Sequence, residues 1–121
     1  MNTTLTVLAV DRNRHNLELL EQFLGGVSYR IKLASSLGEF DEALASGEPI
    51  SIGLIDLVGF DPGIWARCEQ LRARNIPFLV LSSRPSPVLQ HESLSHGAQG
   101  VLLKPLTMRQ LLGLIHALLG G

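Results

Sequence analysis

The chain of 121 residues has a single cysteine and no excess of either charge. Because Cys68 has no second cysteine to pair with, an internal disulfide is excluded. The 10 basic and 11 acidic residues give a formal net charge of −1, so the chain lacks the broad positive field that nucleic acid binds. The composition therefore predicts no direct contact with nucleic acid.

Long apolar runs are also missing. The opening segment, Met1 to Val10, has no basic start and is followed by Asp11, unlike a signal peptide. The apolar stretch 101–121 contains Lys104, Pro105 and other polar residues, which exclude a membrane span. We therefore expect a cytoplasmic protein with no membrane partner.

Glycine-rich phosphate loops and histidines with metal-ligand spacing are absent as well. No Walker or dinucleotide motif follows the first apolar run, which disfavours nucleotide binding. The histidines are predicted to lie at the surface rather than in a metal site. They are His15, His91, His96 and His116.

The sequence does contain five apolar runs of strand length, each followed by a segment with helical spacing. The predicted strands are 5–10, 29–33, 50–55, 78–81 and 101–103. The predicted helices are 14–24, 37–46, 64–74, 87–96 and 108–118, and the fourth has few apolar anchors, namely Val88, Leu89 and Leu94. Ser36 with Glu39, and Thr107 with Gln110, have the spacing of capping boxes.

Strict alternation of strands and helices predicts a parallel sheet covered by helices on both faces. Five strands in 121 residues favour the flavodoxin-like strand order 2-1-3-4-5, a doubly wound α/β fold. A hydrophobic content of 45% is ample for one buried core. We therefore expect a single domain over residues 1–121.

Four chemically active residues each follow the carboxyl end of a predicted strand: Asp11, Asp56, Ser82 and Lys104. Taken singly, each is a common cap, turn or surface residue. In a parallel sheet, however, all of these strand ends lie on one edge, so the four converge. Two carboxylates, a hydroxyl and an ammonium suit a phosphoryl group, with a carboxylate as nucleophile and Mg²⁺ gathering the oxygens.

Four segments of the chain resemble the motifs of the receiver domain of two-component response regulators, and the resemblance covers nearly its whole length. The segments are Val10-Asp11-Arg12, Leu54-Ile55-Asp56, Val80-Leu81-Ser82-Ser83 and Leu102-Leu103-Lys104-Pro105, and the most specific stretch is 97–107. The resemblance implies a signalling domain whose own phosphorylation is its only chemistry.

In such a domain, the resemblance implies that Asp56 accepts a phosphoryl group from a histidine kinase or phosphotransfer protein. It further implies that Asp11 and Asp56 hold Mg²⁺, and that Ser82 and Lys104 contact the bound phosphoryl group. The peptide bond before Pro105 resembles the family's cis peptide, although sequence alone allows either isomer. The signal would pass through the last strand and its flanking helices to a partner or output domain.

Several residues depart from the family's pattern. Arg12 replaces a carboxylate that contacts the metal, which predicts weak Mg²⁺ binding; its side chain could extend into solvent or pair with Asp56. Val58 and Arg84 occupy positions that influence how quickly the aspartyl phosphate hydrolyses. Val101 replaces the usual aromatic switch residue, and Asp61 lies close enough in sequence to offer a substitute carboxylate.

Two other functions remain possible at this point. Arg12 and Val101 are also consistent with a docking module that has lost efficient phosphorylation. A phosphohydrolase of the haloacid dehalogenase type also uses an Asp after its first strand, but it needs a second Asp where this chain has Asn13. The sequence does not identify the kinase, the regulated pathway, the oligomeric state or whether an output region follows Gly121.

Overall fold

The structure is a computed structural model that describes residues 5–26 and 29–120. Residues 1–4, 27–28 and 121 lie outside the described residues. Gly121 is the residue after which the sequence left open whether an output region follows. The strands are Thr6–Val10 (β1), Arg30–Ala34 (β2), Ile52–Asp56 (β3), Phe78–Ser82 (β4) and Gly100–Leu103 (β5). The helices are Arg14–Gly25 (α1), Leu37–Ala45 (α2), Ile64–Ala73 (α3), Pro87–Ser95 (α4) and Met108–Leu119 (α5).

All five strands form one parallel sheet in the order β2-β1-β3-β4-β5, which confirms the predicted fold. The register pairs Val10 with Ile55 and Ser82 with Leu103. Each of these pairs is at the carboxyl ends of its two strands. The residues that end or follow the strands are thereby brought to one edge of the sheet.

Hydrophobic side chains pack on both faces of the sheet, as a doubly wound fold requires. One core joins alternate strand residues such as Leu8 and Ile55 to Phe40 of α2 and Leu71 of α3. The other core joins the opposite side chains of the same strands to α1 and α5; its fully or largely buried members include Val7, Ile52, Leu54, Leu24, Leu111 and Ile115. The sheet is therefore held from both sides.

Of the two predicted capping boxes, the one at α5 is complete and the one at α2 is half formed. Thr107 accepts from the Gln110 amide at 3.1 Å, and the Gln110 side chain accepts from the Thr107 amide at 3.0 Å, so this box is complete. Ser36 caps α2 through the Glu39 amide at 3.1 Å. The Glu39 carboxylate instead accepts from the amide and the hydroxyl of Ser35, at 2.7 and 3.0 Å, and pairs with Arg14 at 3.0 Å.

Helix α4 is oriented differently from the sequence prediction. Its expected anchors Val88 and Leu94 are 69% and 46% exposed, whereas Ser93 is fully buried. Ser93 lies one turn after the half-buried Leu89 and therefore shares its face. The Ser93 hydroxyl donates to the Leu89 carbonyl at 2.7 Å, which satisfies it without a distant partner.

The end of α4 is held by a polar and aromatic contact with α3. His96, which was predicted to be a surface residue, is half-buried and stacks on Trp65 with ring centroids 4.8 Å apart. Its Nδ1 lies 2.9 Å from the Glu69 carboxylate. This contact compensates for the scarcity of apolar residues in the helix.

Among the helices of residues 5–26 and 29–120, none has the length and hydrophobicity that a membrane-spanning segment requires.

Two glycine-to-alanine substitutions test the packing in opposite directions. A Cβ at Gly53 in β3 would lie 3.2 Å from both Leu71 Cδ1 and Phe78 Cβ, whereas a Cβ at the exposed Gly113 in α5 meets nothing within 4 Å. We expect Gly53→Ala to lower the free energy of unfolding by about 1–3 kcal/mol through overpacking. Gly113→Ala should raise it by about 0.5–1 kcal/mol through helix propensity. Urea unfolding of both variants measures these changes, and equal effects would contradict the packing described above.

Candidate functional site

The carboxyl edge of the sheet opens into a cleft of about 540 Å³ between α1 and α5. Asp11, Asp56 and Lys104 stand at its polar end. Its remaining walls are mostly apolar and include Leu19, Leu20, Leu81, Pro105, Leu106, Met108 and Leu111. Three of the four predicted site residues therefore meet in one open cleft.

Asp56 ends β3 and is only 2% exposed. Its Oδ1 accepts from the Val58 amide at 3.0 Å, and its Oδ2 accepts from the Lys104 ammonium. The Lys104 backbone amide donates to the Ser82 carbonyl at 2.8 Å, so the end of β4 positions this lysine. An ammonium on one oxygen and an amide on the other satisfy the charge of a carboxylate that would be costly to bury alone.

Asp11 follows β1 and lies beside Asp56. Its backbone amide donates to the Ala34 carbonyl at 3.0 Å, and its Oδ1 accepts from the Asn13 amide at 2.8 Å. Burial raises the pKa of Asp11 above its usual value, and the charge of Asp56 adds to the rise, while the Asn13 hydrogen bond offsets part of it. The site thus holds two carboxylates close enough to repel, which favours a cation between them.

The Ser82 hydroxyl is buried and turned toward its own loop rather than into the cleft. It donates to the Arg84 carbonyl at 2.9 Å and accepts from the Arg84 amide at 3.3 Å. The neighbouring Ser83, which sequence reasoning did not single out, lines the cleft instead. No sequence signal separates the two serines, because both follow the same apolar run.

Arg12 does not pair with Asp56. Its guanidinium carbon lies 5.8 Å from the centre of the Phe60 ring, and the residue is exposed. Asp61, the suggested substitute carboxylate, accepts from the Gly63 amide at 2.8 Å at the start of α3 and does not line the cleft. The positive charge therefore lies beside the cleft rather than inside it.

The other atypical positions lie around the site. The Val58 side chain is exposed, and its amide donates to Asp56. Val101 is half-buried and lines a separate hollow of about 200 Å³ together with Arg84, Leu89 and Leu103. The Lys104-Pro105 peptide bond is cis, as the resemblance implied.

The donor set suits Mg²⁺ that keeps most of its waters. Asp11 and Asp56 are the carboxylates at the cleft, and the described residues contain no group of three or more His, Cys, Asp or Glu placed to hold a metal. Mg²⁺ is often bound by one or two carboxylates with water and phosphate oxygens completing its shell. Two carboxylates therefore fit the ion.

Cys68 does not compete as a nucleophile in this fold. Burial in the core raises the pKa of its thiol to about 12. The thiol therefore stays protonated at neutral pH, and the thiolate is the reactive form.

The strand order and the helices on both faces of the sheet define a doubly wound, flavodoxin-like α/β domain. Among solved structures, the fold is similar to a two-component response regulator from Clostridium difficile, with a TM-score of 0.85, 20% identity and 97% of each chain covered. A CheY-like receiver domain protein from Methanospirillum hungatei also gives a TM-score of 0.85, at 24% identity over 98% of this chain and 95% of that one. These likenesses confirm the fold.

Curated response regulators and a related transcriptional regulator match nearly the whole length of this chain. The chain is 33% identical over 117 residues to the response regulator MprA of Mycobacterium leprae, covering 95% of this chain and 51% of that protein. It is 30% identical over 119 residues to the transcriptional regulatory protein GltR of Pseudomonas aeruginosa, covering 94% of this chain and 48% of that protein. No protein-family model matches.

These matches support the assignment of the chain as a receiver domain of the two-component response regulators. The chain spans about half the length of the curated relatives it matches. Members of this family are signal transducers rather than conventional enzymes.

The raised pKa of Asp11 predicts a stability effect with a defined sign. A folded carboxyl with a raised pKa favours the protonated form, so its ionisation costs stability as the pH rises through that pKa. We expect Asp11→Asn to raise the free energy of unfolding at pH 7, and this gain to disappear below the usual Asp value of 3.8. Urea unfolding at pH 7 and pH 3 measures it.

Asp41→Asn is the matched control for this measurement. The Arg67 hydrogen bonds, at 2.9 Å, lower the pKa of Asp41, so its ionised form is favoured in the folded state. Its removal should decrease stability at pH 7 and matter less at pH 3. The same sign for both variants at pH 7 would contradict the assignment of Asp11.

Proposed function

We propose that this receiver domain, comprising residues 1–121, accepts a phosphoryl group on Asp56 from a histidine kinase or phosphotransfer protein. The observation that carries the proposal is the placement of Asp56 at the end of β3, with Lys104 on one oxygen and Asp11 beside it in an open cleft. Its family supports the same assignment. A cytoplasmic location is part of this proposal.

The chemistry follows from those contacts. An oxygen of Asp56 attacks the phosphorus of phosphohistidine, an O–P bond forms, and the P–N bond breaks with its electron pair leaving on the imidazole. Lys104, which already donates to Oδ2, is placed to contact a phosphoryl oxygen. Asp11 and Asp56 would hold Mg²⁺, which when bound withdraws charge from the phosphoryl oxygens.

Ser82 and α4 give this chemistry a conformational consequence. For its hydroxyl to reach a phosphoryl oxygen, Ser82 must give up its hydrogen bond to the Arg84 carbonyl, which closes the turn before α4. Helix α4 buries few apolar side chains, so it resists movement weakly. We propose that the signal passes through α4 and β5 to a partner or output domain. Val101 stands where an aromatic switch residue is usual, and we propose that the hollow beside Val101 takes the place of that aromatic residue.

The other two functions are less well supported. A docking module without phosphorylation would be favoured if Arg12 neutralised Asp56, but Arg12 lies against Phe60. In a haloacid dehalogenase the position of Asn13 needs a carboxylate, whereas here its side chain caps α1 by accepting from the Asn16 amide at 3.2 Å. The phosphoacceptor proposal therefore stands first.

Intact-protein mass after incubation with Mg²⁺ and acetyl phosphate tests the proposal. We expect one phosphoryl adduct on the wild type and none on Asp56→Asn, because no carboxylate nucleophile remains in that variant. Arg12→Asp places a second acidic residue beside Asp11 and should lower the Mg²⁺ concentration at which the adduct yield is half-maximal. An adduct on Arg12→Asp but none on wild type would point to the docking module.

The apolar part of the cleft is the proposed contact for the phosphodonor. Leu19 of α1 lines the cleft and is 49% exposed, while Leu94 of α4 is 46% exposed and lies outside the cleft. With a kinase shown to phosphorylate the wild type, Leu19→Glu should slow phosphotransfer by about tenfold, as expected for an interface anchor. Leu94→Glu should leave phosphotransfer unchanged.

Acetyl phosphate provides the internal comparison for this pair of variants. It needs no protein interface, so both variants should accept a phosphoryl group from it at the wild-type rate. If Leu19→Glu slowed both donors equally, the cleft would be part of the chemistry rather than a docking surface.

A further inference from the structure

We propose that Arg12 is a ligand of the phosphoryl group and occupies two alternative positions. At rest its guanidinium lies over the Phe60 ring, and when Asp56 carries a phosphoryl group the guanidinium binds that group's oxygens. The inference rests on the proposed function. It assigns a chemical role to the residue that departs furthest from the family's acidic site.

The resting position is defined by contacts along the loop that follows Asp56. The Arg12 guanidinium carbon lies 5.8 Å from the Phe60 ring centre. A Cβ at Gly59 would lie 3.5 Å from Arg12 Cγ, so the stem of Arg12 lies along the same loop. The Val58 amide of this loop donates to Asp56. Arg12 is therefore next to the phosphoacceptor loop without occupying the cleft.

The charge balance at rest explains why Arg12 stays on Phe60. Asp56 already has the Lys104 ammonium on one oxygen and the Val58 amide on the other. In the part of the chain that the structure describes, the ion pair at Asp56 is with Lys104, and Arg12 has no ion pair. Asp56 itself therefore offers no unpaired charge to a second cation, although the negative charge of Asp11 remains in the cleft.

A phosphoryl group on Asp56 changes that balance. The aspartyl phosphate carries close to two negative charges in place of the single charge of the Asp56 carboxylate, together with three strong acceptor oxygens, more than the single Lys104 ammonium can match. Arg12 directly follows Asp11, which borders Asp56 in the cleft, so it is the nearest further cation along the β1–α1 loop. A charge-assisted bidentate contact between arginine and phosphate is stronger than an exposed cation–π contact. The guanidinium therefore moves from Phe60 to the phosphoryl group.

Two consequences distinguish this role from one in which the Arg12–Phe60 contact only stabilises the loop after Asp56. A fixed positive charge from the protein supplies part of what the metal supplies, so binding of a phosphoryl group depends less on Mg²⁺. Phe60 competes with the phosphoryl group for Arg12, so removing the ring strengthens phosphoryl binding. If the Arg12–Phe60 contact only stabilised the loop, removing the Phe60 ring would weaken phosphoryl binding.

Beryllofluoride, whose three fluorides imitate phosphoryl oxygens, is the probe, and ¹⁹F NMR of the bound species measures its dissociation constant. The titration is run without added Mg²⁺ and at saturating Mg²⁺ on wild type, Arg12→Gln, Phe60→Leu and Asp56→Asn. Arg12→Gln should weaken binding about tenfold without Mg²⁺ and less at saturation, as expected for loss of one charged hydrogen-bonding group. Phe60→Leu should strengthen binding about two- to fivefold.

The results distinguish this inference from the proposed function. If wild type binds and Asp56→Asn does not, but Arg12→Gln binds as tightly as wild type, the role of Arg12 is wrong and the phosphoacceptor stands. Weaker binding by Phe60→Leu would likewise overturn the two-position role. Binding by neither wild type nor Asp56→Asn would overturn both proposals. Arg12 is exposed, so its replacement should leave the fold intact, as a urea unfolding curve checks.

Discussion

The ion pair between Asp56 and Lys104 is the interaction on which the arrangement of this domain depends. Asp56 ends β3 and Lys104 directly follows β5, and these two strands are not neighbours, because β4 lies between them. A buried carboxylate that loses its cation costs about 3–5 kcal/mol. The pair therefore couples the chemistry of the cleft to the order and register of three strands, and the site exists only when the sheet is correctly assembled.

The fold was predictable because its signals are local and repeated. Apolar runs such as those ending at Val10 and Ile55 coincide with buried strands, and Thr107 with Gln110 forms the predicted box. The convergence of Asp11, Asp56 and Lys104 followed from the topology alone, since parallel strands share one carboxyl edge.

What could not be predicted depends on side-chain rotamers and on competition between nearby partners. The Ser82 hydroxyl turns to the Arg84 carbonyl, and Arg12 selects Phe60 over Asp56, which Lys104 already neutralises. The orientation of α4 was equally hidden, because its few apolar residues do not share one face. In each case the sequence shows which groups are available but not which contact is preferred.

The stacking of His96 on Trp65 has a mechanical consequence for α4. The contact holds the carboxyl end of the helix against α3, while the opposite end follows the turn closed by Ser82 and leaves Val88 in solvent. A helix fixed at one end and loosely packed at the other pivots rather than slides. If the signal passes through α4 as proposed above, a small rearrangement at the sheet edge would displace the amino-terminal end of α4 most.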